Sequence, residues 1–76
     1  MTKAYVLIEM AAGRSGDLVR VLINKSEVSS ISRVTGPYDV IAIIQGDTLK
    51  EVHEFVTDEI HKLDGVLRTT TSVAVR

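Results

Sequence analysis

Two stretches of the chain, Lys3 to Ala11 and Tyr38 to Gln45, are apolar at almost every position. Side chains alternate between the two faces of a strand, so consecutive apolar residues give a strand that is greasy on both sides. Val6, Ile8 and Met10 point one way, Tyr5 and Leu7 the other. In the second stretch Val40, Ala42 and Ile44 alternate against Ile41 and Ile43. Such strands belong in the middle of a sheet. Two further stretches have the mixed pattern of edge strands: Val28 to Thr35, polar by turns, and Val66 to Val75, which alternates.

Between these strands lie two helical patterns. Ser15 to Asn24 starts with a capping residue type, carries Asp17 in its first turn, and presents Leu18, Val21 and Leu22 as its apolar face. Asp47 to Leu63 carries the stripe Leu49, Val52, Phe55, Val56, Ile60 and Leu63, with Thr48 and Glu51 placed for a capping box. Gly13, Gly36-Pro37 and Asp64-Gly65 punctuate the chain. The order β-α-β-β-α-β, with right-handed crossovers, predicts one α+β ferredoxin-like domain over residues 1–76. The expected strand order is 4-1-3-2, with both helices on one face of an antiparallel sheet. Two helices cover only one face, so the other face of the two central strands is left apolar. Monomers avoid large exposed apolar patches. The expected remedy is a second copy packed sheet to sheet, at about 10 Å separation.

Size leads to the same expectation. A chain of 76 residues has a thin core, and small domains compensate with disulfides, a metal or self-association. No cysteine is present, which removes disulfides and cysteine-rich zinc sites and fits a reducing, cytoplasmic setting. Nine Lys and Arg stand against ten Asp and Glu, with no basic cluster, so a phosphate-binding face for nucleic acid is not expected. One Phe, two Tyr and no Trp leave few rings for base stacking. No stretch approaches the ~20 apolar residues of a membrane span. The first twelve residues lack the charge and cleavage pattern of a signal peptide.

Candidate chemistry is sparse. Glu54, Asp58 and His61 share a helical face, a spacing that can hold a metal, but they lie opposite the apolar stripe and read more simply as a solvated face beside His53. Ser15, in Gly13-Arg14-Ser15-Gly16, can face an anion at a helix start, yet no P-loop spacing follows and a cap is the plainer reading. No nucleophile has an adjacent base, so an enzyme is not expected, and no cofactor is implied. Two polar segments remain: the turn Thr35-Gly36-Pro37-Tyr38-Asp39 and the run Thr69-Thr70-Thr71-Ser72. Each alone is explained by a hairpin turn or by threonine's fit to strands.

Taken together, Thr35-Gly36-x-Tyr38-Asp39 leading into Val40 to Ile44, then Gly65-Val66-x-x-Thr69-x-Thr71-x-Val73, resembles the effector domain of the Lrp/AsnC family, often called RAM. The resemblance runs the length of the chain. No helix-turn-helix precedes the first strand, so it looks like a stand-alone version, without DNA binding of its own. The resemblance implies sheet-packed dimers that assemble further, commonly to octamers, and amino-acid effectors bound between dimers. It also implies a role in regulating amino-acid metabolism or transcription. Its matching site positions are Gly36, Tyr38, Asp39, Thr69 and Thr71. Those residue types suit an amino acid. Asp39 can accept from an ammonium group, and Thr69 and Thr71, on one face of the last strand, can donate to a carboxylate. Gly36 permits close backbone approach, and Tyr38 offers an apolar face.

Three other readings fit the same element order. An ACT-like amino-acid-binding domain is resembled by Arg14-Ser15-Gly16-Asp17-Leu18, although the proline of that family's loop is missing and it has no T-G-x-Y-D turn. A pure assembly partner would join full-length Lrp-like regulators without a ligand of its own. A small monooxygenase-type enzyme would need His, Asn or Trp under the sheet, which the apolar strands do not supply.

Overall fold

The structure, a computed structural model, describes residues 1–75. Strand β1 (Thr2–Met10) is followed by helix α1 (Ser15–Leu22), then by β2 (Val28–Arg33) and β3 (Val40–Gly46). Helix α2 (Leu49–Phe55) runs on into a π-helical segment, Val56–His61, and β4 (Val66–Val73) ends the fold. The four strands form one antiparallel sheet in the order β2-β3-β1-β4. This is the expected ferredoxin-like arrangement, with the two both-sided apolar strands in the centre.

The core lies between the sheet and the helices. Ala4, Val6, Ile8 and Met10 of β1 and Val40, Ala42 and Ile44 of β3 meet Leu18 and Leu22 of α1 and Val52, Phe55, Val56 and Ile60 beyond β3. The opposite face of the central strands carries Tyr5, Leu7, Ile41 and Ile43, none of them fully buried. Pairing registers place Ser30 and Ser32 of β2 and Thr70 and Ser72 of β4 on that same open face, opposite Ile43, Ile41, Leu7 and Tyr5 respectively.

Several local expectations are corrected. Arg14, not Ser15, holds the N-cap position of α1, and no side chain caps that end. The chain enters the helix from a tight turn, with Gly13 at φ +79° and the Arg14 N–H donating to the Ala11 carbonyl at 3.1 Å. The Arg14 side chain is committed elsewhere, to Asp17 and to Asp64 fifty residues away. These hydrogen bonds, Asp64 first, push its guanidinium above an already high pKa. Val21 is 47% exposed rather than core-facing, and Val19 packs against the core in its place. At about 100° per residue the two valines lie equally far to either side of the direction shared by Leu18 and Leu22, so the side on which the sheet packs decides which is covered. Leu49 is also exposed, so the stripe of α2 starts at Val52. The second helix is not uniformly α-helical: its last six residues are π-wound.

Its entry matches the capping box. The Glu51 N–H donates to Thr48 Oγ1 at 3.1 Å, and the Glu51 carboxylate accepts from the Asp47 N–H at 3.0 Å, one residue further out than the usual partner. The strand predicted over Tyr38 to Gln45 runs instead from Val40 to Gly46, with Asp39 just before it still bonded across to both neighbouring chains through its backbone.

Candidate functional site

Strand β3 is too short to reach the end of β1, so the Met10 N–H has no strand partner on that side. Asp39 supplies one. Its Oδ2 accepts from the Met10 N–H at 2.8 Å, while its own N–H donates to the Ile8 carbonyl and its carbonyl accepts from the Val34 N–H, both at 2.9 Å. A half-buried carboxylate is thereby fixed between three strands, with Oδ1 accepting no hydrogen bond among the described residues. Gly36, at φ +115°, makes the turn that brings Asp39 into this position, and a side chain there would be strained.

Tyr38 turns the other way. Its hydroxyl lies 3.4 Å from the Thr70 hydroxyl, so the ring reaches across to β4 on the open face of the sheet. Thr69 and Thr71 pair with Ile8 and Val6, whose side chains are buried under the helices, and so face the helix side. There the Thr69 hydroxyl lies 3.4 Å from Nδ1 of His61, at the end of the π-helical segment. Thr69 is half-buried and Thr71 exposed.

The five expected residues are therefore brought to one end of the molecule only in part. Asp39 and Thr69 flank the same residue, Ile8, from opposite sides of β1. Tyr38, however, lies on the face opposite Thr69 and Thr71. Two residues at these positions were not among the five: Thr70, the partner of Tyr38, named only as part of the threonine run, and His61, the neighbour of Thr69, weighed only as a metal ligand with Glu54 and Asp58. The alternation along Val66 to Val75 held the signal for Thr70. Nothing in the sequence linked His61 to β4, since that contact depends on the π-wound end of the helix.

Elsewhere, a cavity of about 410 Å³ opens where α2 passes the ends of β2 and β3. Its wall is acidic, with Glu27, Glu51, Glu54, Asp58 and Glu59, and Lys25 pairs with Glu59 at 3.1 Å. None of the five expected residues lines it. Among the described residues no group of three or more His, Asp or Glu side chains is placed to hold a metal ion. Among those residues no helix is long and apolar enough to cross a membrane.

Comparison with known proteins bears on this geometry. A family model described as the Lrp/AsnC ligand binding domain matches residues 3–76. The HTH-type transcriptional regulator FL11 of Pyrococcus furiosus is 26% identical over 73 residues, which make up 96% of this chain and 48% of that protein. The chain spans between 27% and 48% of the length of the curated regulators it matches. Among solved structures, TTHA0845 from Thermus thermophilus is 36% identical with a TM-score of 0.93, over 100% of this chain and 95% of that one. The transcriptional regulator NMB0573 of Neisseria meningitidis, solved in complex with L-Met, shares the fold at a TM-score of 0.89 with 18% identity, over 99% of this chain and 50% of that one. The sheet order, the turn that carries Asp39 and a family match running almost from end to end agree: the chain belongs to the Lrp/AsnC ligand binding domain family.

Proposed function

We propose that this domain is a regulatory, non-enzymatic effector module that binds a free amino acid where copies of the chain meet. The family match over residues 3–76 carries the reading, because the matched family is a ligand binding domain. The complex of the Neisseria regulator with L-Met lends support to an amino acid as the ligand class.

Asp39 takes the ammonium group. One carboxylate oxygen is held by the Met10 N–H, which fixes its orientation, and the other remains for a charged donor. Thr69 and Thr71 take the carboxylate through their hydroxyls, and Gly36 and Tyr38 shape the approach. Tyr38 and the two threonines occupy opposite faces of one sheet, so a complete site takes the turn of one copy and the strand of another. Two contacts are required: the open faces stack into a dimer, and dimers assemble into a higher oligomer, an octamer in this reading. The apolar row Tyr5, Leu7, Ile41 and Ile43 supports the first contact. The formal net charge of −1, with no cluster of Lys or Arg, argues against a DNA-binding face on these 76 residues. Regulation of transcription then comes through assembly with DNA-binding regulators of the same family in the cytoplasm.

Calorimetric titration with each of the twenty amino acids tests this. Heat of binding with at least one, lost or weakened roughly tenfold in Asp39→Asn, is the expected result, since the amide keeps the acceptor for Met10 but not the charge. No heat with any amino acid would leave the assembly role alone.

A further inference from the structure

The π-helical segment Val56–His61 ends where β4 carries the two threonines assigned above to a carboxylate. A π-wound turn holds more residues per turn than an α-turn, and such turns recur at functional sites. Here its last residue, His61, reaches the helix-side surface of β4, with Nδ1 at 3.4 Å from Thr69 Oγ1. His61 is exposed, so its ring stands at the rim of the strand rather than inside the core. Thr71 lies two residues along the same face, about 7 Å further on. An imidazole and two hydroxyls thus line one edge, all able to donate, with no carboxylate of β4 beside them.

We infer that His61 is a third carboxylate-contacting residue of the amino-acid site, and that its protonation makes ligand binding tighten as pH falls. The inference rests on the proposed function and extends it to a residue and to a form of regulation. Neutral imidazole offers a single N–H, which it can share with Thr69; the imidazolium offers two N–H donors and a positive charge opposite the ligand's carboxylate. The carboxylate of a free amino acid titrates well below about pH 5.5, and its ammonium, beside its own carboxylate, titrates above about pH 8, so neither follows the window in which imidazoles commonly change charge.

The surroundings of His61 leave this charge available. On its own segment Asp58 lies one turn back and Lys62 follows directly. On β4 the helix-side residues Thr69, Thr71 and Val73 do not titrate. Arg68 is on the other face, held by Glu9 at 3.4 Å, and Asp64 is held by Arg14 at 3.1 Å. Glu59, on the same segment, pairs with Lys25. The helix-side residues of β1 are apolar. No described residue forms an ion pair with His61.

The test is calorimetric titration of the whole chain with each of the twenty amino acids at pH 5.5 and pH 8. It is repeated with His61→Gln and, as a control for histidine charge elsewhere, with His53→Gln on α2. For an amino acid that binds, affinity at pH 5.5 is expected to exceed that at pH 8 roughly threefold to fivefold, the scale of an exposed ion pair. His61→Gln is expected to flatten that dependence and His53→Gln to keep it. The amino alcohol matching the bound amino acid, which lacks the carboxylate, is expected to show no such dependence. Binding equal at both pH values, or a pH dependence that survives in His61→Gln, overturns the inference and leaves the amino-acid site standing. No binding of any amino acid at either pH overturns both.

Discussion

Asp39 shows how one side chain can serve the fold with one carboxylate oxygen and keep the other clear of hydrogen bonds from the described residues. The sequence marked it as polar, just before an apolar strand and after a Gly-Pro turn, and two uses fitted: a local turn acceptor or a ligand acceptor. In the structure its partner is neither local nor a ligand but the Met10 N–H, twenty-nine residues back. That contact was not legible, because it depends on β1 outrunning β3 by a residue or two, and strand ends are the least determined part of a hydrophobic pattern. The two roles separate in mutants. Asp39→Ala strands a half-buried N–H and is expected to cost about 1–3 kcal/mol by urea denaturation, whereas Asp39→Asn, which retains an acceptor, is expected to cost less than half as much. Equal losses would mean that the hydrogen bond to Met10 contributes little.

At the level of elements, the sequence identified the cap of α2 and misidentified that of α1, where no side chain caps the helix. The Thr48–Glu51 box was legible because both its bonds are local. Thr48→Ala is expected to lower stability by about 1 kcal/mol, with the urea midpoint shifted and the slope unchanged. A loss below a few tenths would place the start of α2 under the control of its packing instead. Where an element's form depends on what it packs against, the sequence was less informative. The spacing of Val56, Ile60 and Leu63 suits an α-helix, yet the segment is π-wound, and it is this winding that sets His61 beside Thr69. The division of the candidate site between two faces has a similar origin. Strand alternation put Thr69 and Thr71 together, but only the register of β4 on β1 decided that they share the side of Val6 and Ile8.

For the whole molecule, the informative quantity is the mismatch between a sheet with two apolar faces and helices that cover one. Alternation in β1 and β3 made that mismatch readable from the sequence, and the burial pattern bears it out. Ala4, Val6, Ile8, Val40, Ala42 and Ile44 are fully buried, while Tyr5 remains 39% exposed and Leu7, Ile41 and Ile43 are only partly covered by their own neighbours. Polar residues frame this row. Ser30 and Ser32 lie on one side and Thr70 and Ser72 on the other, an apolar centre with a hydroxyl-bearing rim, as in a protein–protein interface. A face of this kind, matched to itself by a two-fold axis, would bury the apolar row of both copies at once. A charge at its centre should therefore act on association more than on folding. Ile41→Lys is expected to convert the assembly to monomers in sedimentation experiments at micromolar concentration, with the circular dichroism of a folded domain retained. Val21→Lys, on the exposed outer side of α1, introduces the same charge on the helix layer and is expected to leave the assembly intact. If the unaltered protein sediments as a monomer, or if Ile41→Lys leaves its assembly unchanged, the open face is not where copies meet, and the site proposed between copies loses its physical basis.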